Sequence, residues 1–174
     1  AKNGVTPVLV AAHNGHVDAI KVLAALGADV NTADVNGATP LFIAAHNGRV
    51  VTIRALAVLG GEVNAPNKYG TAPVHMAAHN GHVDTIKALC ALGADVNAPD
   101  KEGATPLSIA AQNGHVDAVR TLCALGAGVN TPVNDGATPA LQSAMNGHVD
   151  VIRALVALGA DVNTPAKNGV TPVY

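Results

Sequence analysis

The dipeptide Thr6-Pro7 recurs as Thr39-Pro40, Thr105-Pro106, Thr138-Pro139 and Thr171-Pro172, with Ala72-Pro73 in the remaining place. Each step is 33 residues, so the 174-residue chain holds about five such units and the start of a sixth. Glycines keep the same phase (Gly15, Gly48, Gly81, Gly114, Gly147; Gly27, Gly60, Gly93, Gly126, Gly159), and so do Asn31, Asn64, Asn97, Asn130 and Asn163. Several ladders in one register mark a repeat architecture, in which each unit buries its apolar face only by stacking on its neighbours.

One unit reads as two short helices and an arm. Thr39 is an N-cap whose hydroxyl satisfies a free amide, and Pro40 at the first helical position gives up only an N–H that would be orphaned anyway. The first helix is expected over Leu41 to about His46, apolar and rich in alanine, and Asn47-Gly48 stops it in a tight turn that both residues tolerate. A second helix follows from about Val50 to Leu59, with Gly60 as its C-cap. Glu62 to Gly70 carries Pro66 and Asn67 and reads as an extended arm with a turn at its tip.

Composition then excludes several kinds of work. Net charge is −2, from 10 basic and 12 acidic residues, so no basic surface bids for nucleic acid or an acidic membrane. No apolar run approaches the roughly 18 residues that would span a bilayer, and Asn3, Gly4 and Pro7 break any secretory core at the start of the chain. Cys90 and Cys123 occupy one slot of consecutive second helices, too far apart for a ready disulfide. They read as free, packed thiols of a reducing compartment, which places the chain inside the cell, in the cytoplasm.

Eight histidines invite a metal or catalytic reading. Zinc needs three or four ligands converging at roughly 2.0–2.3 Å, whereas stacked helices lie about 8–10 Å apart, so His46 and His79 diverge. His16, His82, His115 and His148 are expected to support the turn between helices. Asp18, Asp84, Asp117 and Asp150 each precede a base by three positions (Lys21, Lys87, Arg120, Arg153), the spacing of helical ion pairs on a solvated face. No Ser or Cys completes a His16–Asp18 relay, and the glycines sit in turns rather than in a phosphate loop. No enzyme activity, metal or cofactor is expected.

These residues resemble ankyrin repeats along the whole chain. Gly37-Ala38-Thr39-Pro40-Leu41, Ala44-Ala45, Asn47-Gly48, Leu56 and Val63-Asn64 follow the family's pattern, and Gly93-Ala94-Asp95-Val96-Asn97 matches its passage from helix to arm. The resemblance implies an all-α solenoid of stacked helix-turn-helix units with extended arms and β-turn tips. It is expected as a single domain over 1–174, with units near 1–33, 34–66, 67–99, 100–132 and 133–165 and a partial unit over 166–174. Two units depart from the pattern. Only His75 fills the family's His slot, beside Ala72 in place of the capping Thr, so a softer first helix is expected there. Ala140, Gln142 and Ser143 mark the fifth unit as the worst packed.

The family resemblance also implies a protein-interaction scaffold, with contacts from two places. One is the arm tips, here Val35-Asn36, Lys68-Tyr69, Lys101-Glu102 and Asn134-Asp135. The other is the concave end of the first helices, with His13, His46, His79, Gln112 and Met145 each followed by Asn. Trp is absent and Phe42, Tyr69 and Tyr174 are the only aromatics, so Phe42 and Tyr69 are the candidate anchors; packing between units is the equal alternative for Phe42. The protein partner is not named by any residue.

Leu23, Asp29, Val30 and Asn31 resemble the segment that asparaginyl hydroxylases modify in ankyrin repeats, and the pattern returns at Asn64, Asn97 and Asn163. The favoured alternative is that each Asn satisfies backbone groups of the arm. Finally, residues 1–8 recur letter for letter as 166–173, and neither end looks polar. The expectation is either a segment of a longer array or head-to-tail self-association, a heterologous contact that need not close.

Overall fold

The computed structural model describes residues 3–167, 169, 171 and 172; Tyr174 and parts of the expected sixth unit lie outside them. The described residues form ten α-helices and no strand. The first helices of the units are α1 (Pro7–Asn14), α3 (Pro40–His46), α5 (Pro73–His79), α7 (Pro106–Gln112) and α9 (Pro139–Met145). The second helices are α2 (Val17–Ala25), α4 (Val50–Val58), α6 (Val83–Ala91), α8 (Val116–Ala124) and α10 (Val149–Ala157). Each first helix packs on the next first helix and on its own partner, and the second helices pack in series behind them. The result is a two-layered, all-α solenoid.

The caps form as their residue types dictate. Thr6, Thr39, Thr105 and Thr138 sit in extended backbone, and each hydroxyl accepts the N–H of the residue three further on, at 3.2–3.3 Å. Between the helices of a pair only glycine takes the left-handed backbone. Gly48 has φ 66°, whereas Asn47 stays at −94° and turns its amide back to the Ile43 carbonyl at 2.8 Å. Of the two residues that tolerate such a turn, only Gly48 takes the left-handed backbone.

The core runs between the two layers. Val8, Leu41, Val74 and Leu107 from the first helices meet Ile20, Ile53, Ile86, Val119 and the leucines Leu56, Leu89, Leu122 and Leu155 from the second, all buried. Alanine pairs such as Ala44-Ala45 and Ala77-Ala78 are also fully buried, which lets neighbouring backbones approach.

The two irregular units differ in outcome. In the third, Ala72 has no hydroxyl to offer, but its N–H donates to Nδ1 of His75 at 3.1 Å, so a side chain ties the helix start from the opposite direction. In the fifth, Ala140 and Ser143 are buried, and the Ser143 hydroxyl donates to the Pro139 carbonyl at 2.8 Å. Leu141, Ala137 and Ala166 form a small apolar cluster apart from the main core. Gln142 Oε1 is buried without a hydrogen-bond partner, a state that costs about 1–3 kcal/mol. Among the described residues this oxygen is the buried side-chain polar atom without a partner.

Candidate functional site: arm tips and the ends of the first helices

An arm tip is a turn held by its own first residue. Asp34 Oδ1 accepts the N–H groups of Asn36 and Ala38 at 2.8 and 2.9 Å. Asn67 does the same for Tyr69 and Thr71, and Asp100 for Glu102 and Ala104. Val133 breaks the series, and Asp135 takes over the N–H of Ala137 at 2.8 Å. Of these turn-holding residues, Asp34, Asn67 and Asp100 are absent from the candidates read from the sequence, whereas Asp135 is among them. The signal was present, since an Asp or Asn stands one place before the tip at 34, 67 and 100.

The tips are then pinned to one another in series. Lys68 N–H donates to the Asn36 carbonyl at 2.9 Å, Lys101 to Tyr69 at 3.1 Å, Asn134 to Glu102 at 2.9 Å and Lys167 to Asp135 at 2.9 Å. With their backbones committed, Val35, Asn36, Lys68, Tyr69, Lys101, Glu102, Asn134 and Asp135 all present exposed side chains. Tyr69 is 65% exposed.

The ends of the first helices form a second ladder alongside. Asn47 Nδ2 lies 3.3 Å from His13 Nδ1, Asn80 Nδ2 3.3 Å from His46 Nδ1, and Asn113 Nδ2 3.4 Å from His79 Nδ1. An amide nitrogen only donates, so an imidazole that takes such a bond accepts it at Nδ1. Burial, and then the neighbouring His79, His82 and His13, hold the pKa of His46 below its ordinary value.

The histidines after each glycine turn do more than support their own turn. His82 Nε2 donates to the His46 carbonyl at 3.1 Å, His115 to His79 at 2.8 Å and His148 to Gln112 at 3.0 Å. Each reaches back one unit and closes a carbonyl left open at the end of a first helix. Arg49, which stands in the His slot of its unit, lies against Gly15 of the preceding unit, as His82 lies against Gly48, His115 against Gly81 and His148 against Gly114.

Two grooves open between the ladders. The larger, about 480 Å³, lies between the fourth and fifth units and brings together Lys101, Glu102, Gln112, Asn134 and Asp135. Met145, Asn146 and Gln142 complete its helical side. The smaller, about 210 Å³, lies at the first two units and is apolar, with Val5, Leu9, Val10 and Ile43 beside His13 and Asp34.

Phe42 is corrected as a candidate anchor. It is 6% exposed, in the slot that also buries Leu9, His75, Ser108 and Leu141, because side chains at this position of the first helix pack between units. His46 and His79 are exposed beside their Asn partners.

The arm asparagines are committed to stacking. Asn31 Nδ2 donates to the Gly60 carbonyl and its Oδ1 accepts from Glu62 N–H, both at 2.9 Å. Asn64 joins Gly93 and Asp95 in the same way, Asn97 joins Gly126 and Gly128, and Asn130 joins Gly159 and Asp161. Asn163 is bonded within its own arm, its backbone N–H donating to Asp161 Oδ1 at 2.8 Å.

Three of the four expected ion pairs form, Asp18–Lys21, Asp84–Lys87 and Asp150–Arg153 at 3.5–3.9 Å; among the described residues Asp117 and Arg120 do not come within 4.0 Å. All three are solvated and contribute little. Cys90 and Cys123 are free and half-buried, and burial pushes both thiols up. Among the described residues no three His, Cys, Asp or Glu side chains converge as metal ligands. No helix among them is long and apolar enough to cross a membrane.

Stacked helix pairs with one continuous edge of tips and helix ends define a repeat solenoid. The chain belongs to the ankyrin-repeat family: the family model for ankyrin repeats in three copies matches residues 1–67 and 50–133, and the single ankyrin-repeat model matches 135–164. Proteins of this family generally mediate protein–protein interaction rather than catalysis. A comparison with curated proteins found no match.

Proposed function

We propose that the chain is a non-enzymatic scaffold that binds a partner protein along the edge formed by the arm tips and the ends of the first helices. The observation that carries this reading is the convergence of Lys101, Glu102, Gln112, Asn134 and Asp135 on one groove, with the tip backbones already bonded in series. Side chains presented from a pre-ordered ridge lose less conformational freedom on binding than those of a loose loop. The exposed ring of Tyr69, flanked by Lys68 and Lys101, is the largest apolar anchor on that ridge.

The test is capture of a partner by the wild-type chain and by Lys68→Ala/Tyr69→Ala and Glu102→Ala variants, with helicity followed by circular dichroism. Loss of capture at unchanged helicity is the expected result. Capture that survives these changes but fails in Lys21→Ala/Lys87→Ala, on the second-helix layer, overturns the reading. End-to-end self-association gains no specific support from exposed apolar side chains. Val58 in the interior is 87% exposed and Leu26 in the first pair 80%, so such exposure does not single out the ends.

A further inference from the structure

The floor of the tip-side face is a column formed by one position of each first helix: Val10, Ile43, Met76, Ile109 and Gln142. Four are apolar and one is a carboxamide. That carboxamide lines the 480 Å³ groove, and its Oε1 is the buried side-chain oxygen with no partner among the described residues. Its polar neighbours differ in their availability. Asn146 Nδ2 already donates to the Gln142 carbonyl at 2.8 Å, and Asn134 Nδ2 to the Lys101 carbonyl at 3.0 Å. The side chain of Gln112 is exposed at the groove's rim and makes no such bond among the described residues.

A carboxamide carries one acceptor and one donor group side by side, the complement of a peptide unit in an extended chain. Resting on the scaffold reading above, we infer that the groove between the fourth and fifth units is a subsite for an extended segment of the partner's polypeptide. Gln142 reads the segment's backbone. Rotation of its amide toward the groove lets Oε1 accept a backbone N–H of the segment while Nε2 donates to a neighbouring carbonyl. Gln112 offers a second carboxamide on the same side, and Met145 gives an exposed apolar surface for a side chain. Recognition of this kind is tolerant of sequence, because every extended segment carries the same backbone groups. The smaller groove at Val5, Leu9 and Val10 has no such amide; its lining is mainly apolar, with His13 and Asp34 beside it.

The experiment is a two-dimensional NMR titration of the whole chain with a blocked pentapeptide of alternating alanine and leucine, to about 20 mM, a range that reaches millimolar binding. A second titration uses the depsipeptide in which esters replace the central amides and remove their N–H donors. Saturable shifts confined to residues 101–104, 134–137 and 142–146 are expected with the peptide. Affinity is expected to fall at least about tenfold, or 1.4 kcal/mol, with the depsipeptide and in Gln142→Leu. The leucine restores the apolar column and keeps the fold, which unchanged chemical shifts elsewhere verify. Absence of saturable shifts in the wild type, or equal affinity in Gln142→Leu, overturns the inference. Partner capture that depends on Lys68 and Tyr69 but not on Gln142 leaves the scaffold reading standing and this subsite refuted.

Discussion

The backbone N–H of Ala72 donates to Nδ1 of His75 at 3.1 Å, while Nε2 of the same ring lies 2.9 Å from the Ala98 carbonyl and 3.2 Å from that of Ala104. The ring is fully buried. One neutral imidazole, protonated at Nε2, thus closes the start of α5 and fastens the third unit to the next arm. His75→Leu, which copies the side chain at the same slot in α1 and α9, leaves these groups buried and unpaired. The expected loss is about 1–3 kcal/mol, read from the urea midpoint at pH 7.5 with the slope of the transition unchanged. A loss below a few tenths of that scale contradicts the latch.

Acid should act through the same ring. Burial holds the pKa of His75 below its ordinary value, against the opposing effects of the Ala98, Ala104 and Ala72 hydrogen bonds and of the Asp100 charge. His46 is lowered as well. Between the unfolded value near 6.5 and the depressed folded values, the unfolded chain binds protons that the folded chain does not. Stability therefore falls as pH drops below about 6.5 and levels off once the folded rings are protonated. Urea midpoints at pH 7.5, 6.5, 5.5 and 5 should show this decline in the wild type and a smaller one in His75→Ser. Ser108 shows that serine fits this slot, its hydroxyl donating to the Thr105 carbonyl at 2.9 Å. A flat wild-type profile refutes the assignment.

How much of this was legible in the sequence depends on how far apart the interacting residues stand. Thr39 and Phe42, or Asp18 and Lys21, are neighbours within one helix end, and residue type with spacing predicts both contacts. Asn31 with Gly60, or His82 with the His46 carbonyl, are 29 and 36 residues apart. Their 33-residue recurrence was visible, but which unit each side chain reaches is decided by stacking. Phe42 was ambiguous for a related reason. An aromatic three places after a cap is as consistent with a surface anchor as with a core residue until the next first helix covers it. The orphaned oxygen of Gln142 lies at the other limit, because the sequence shows a polar residue in an apolar column but not that its amide lacks a partner.

Gln142→Leu should stabilise the chain. The substitution removes a buried acceptor without a donor and matches Ile109 one unit earlier. A gain of about 1–2 kcal/mol is expected, with an upward shift of the thermal midpoint. An unchanged or lower midpoint means that the amide is satisfied in solution by water or by a different rotamer.

Asn97→Ala should loosen the joint between the third and fourth units. It removes the bonds to the Gly126 carbonyl at 3.1 Å and from the Gly128 N–H at 2.9 Å. Both groups are exposed and water replaces part of the loss, so about 1–2 kcal/mol is expected. In a solenoid such a loss falls on one interface, and amide exchange should quicken first around residues 94–98 and 126–128. Uniform quickening along the chain would contradict a local joint.

Gly81 and Gly27 separate backbone strain from contact. Both have positive φ, 67° and 90°, so alanine at either one pays the left-handed penalty of about 1–2 kcal/mol. They differ in what the new methyl meets. A Cβ at Gly81 would stand 2.7 Å from Nδ1 of His115, the ring that donates to the His79 carbonyl, whereas a Cβ at Gly27 meets nothing within 4 Å. Gly81→Ala should therefore cost more than Gly27→Ala by about 1–2 kcal/mol, the scale of one hydrogen bond lost with local repacking. The excess should vanish in a His115→Ala background, where the ring is gone. Equal costs for the two glycine variants in the native background would show that the His115 ring moves aside freely and does not hold the ladder.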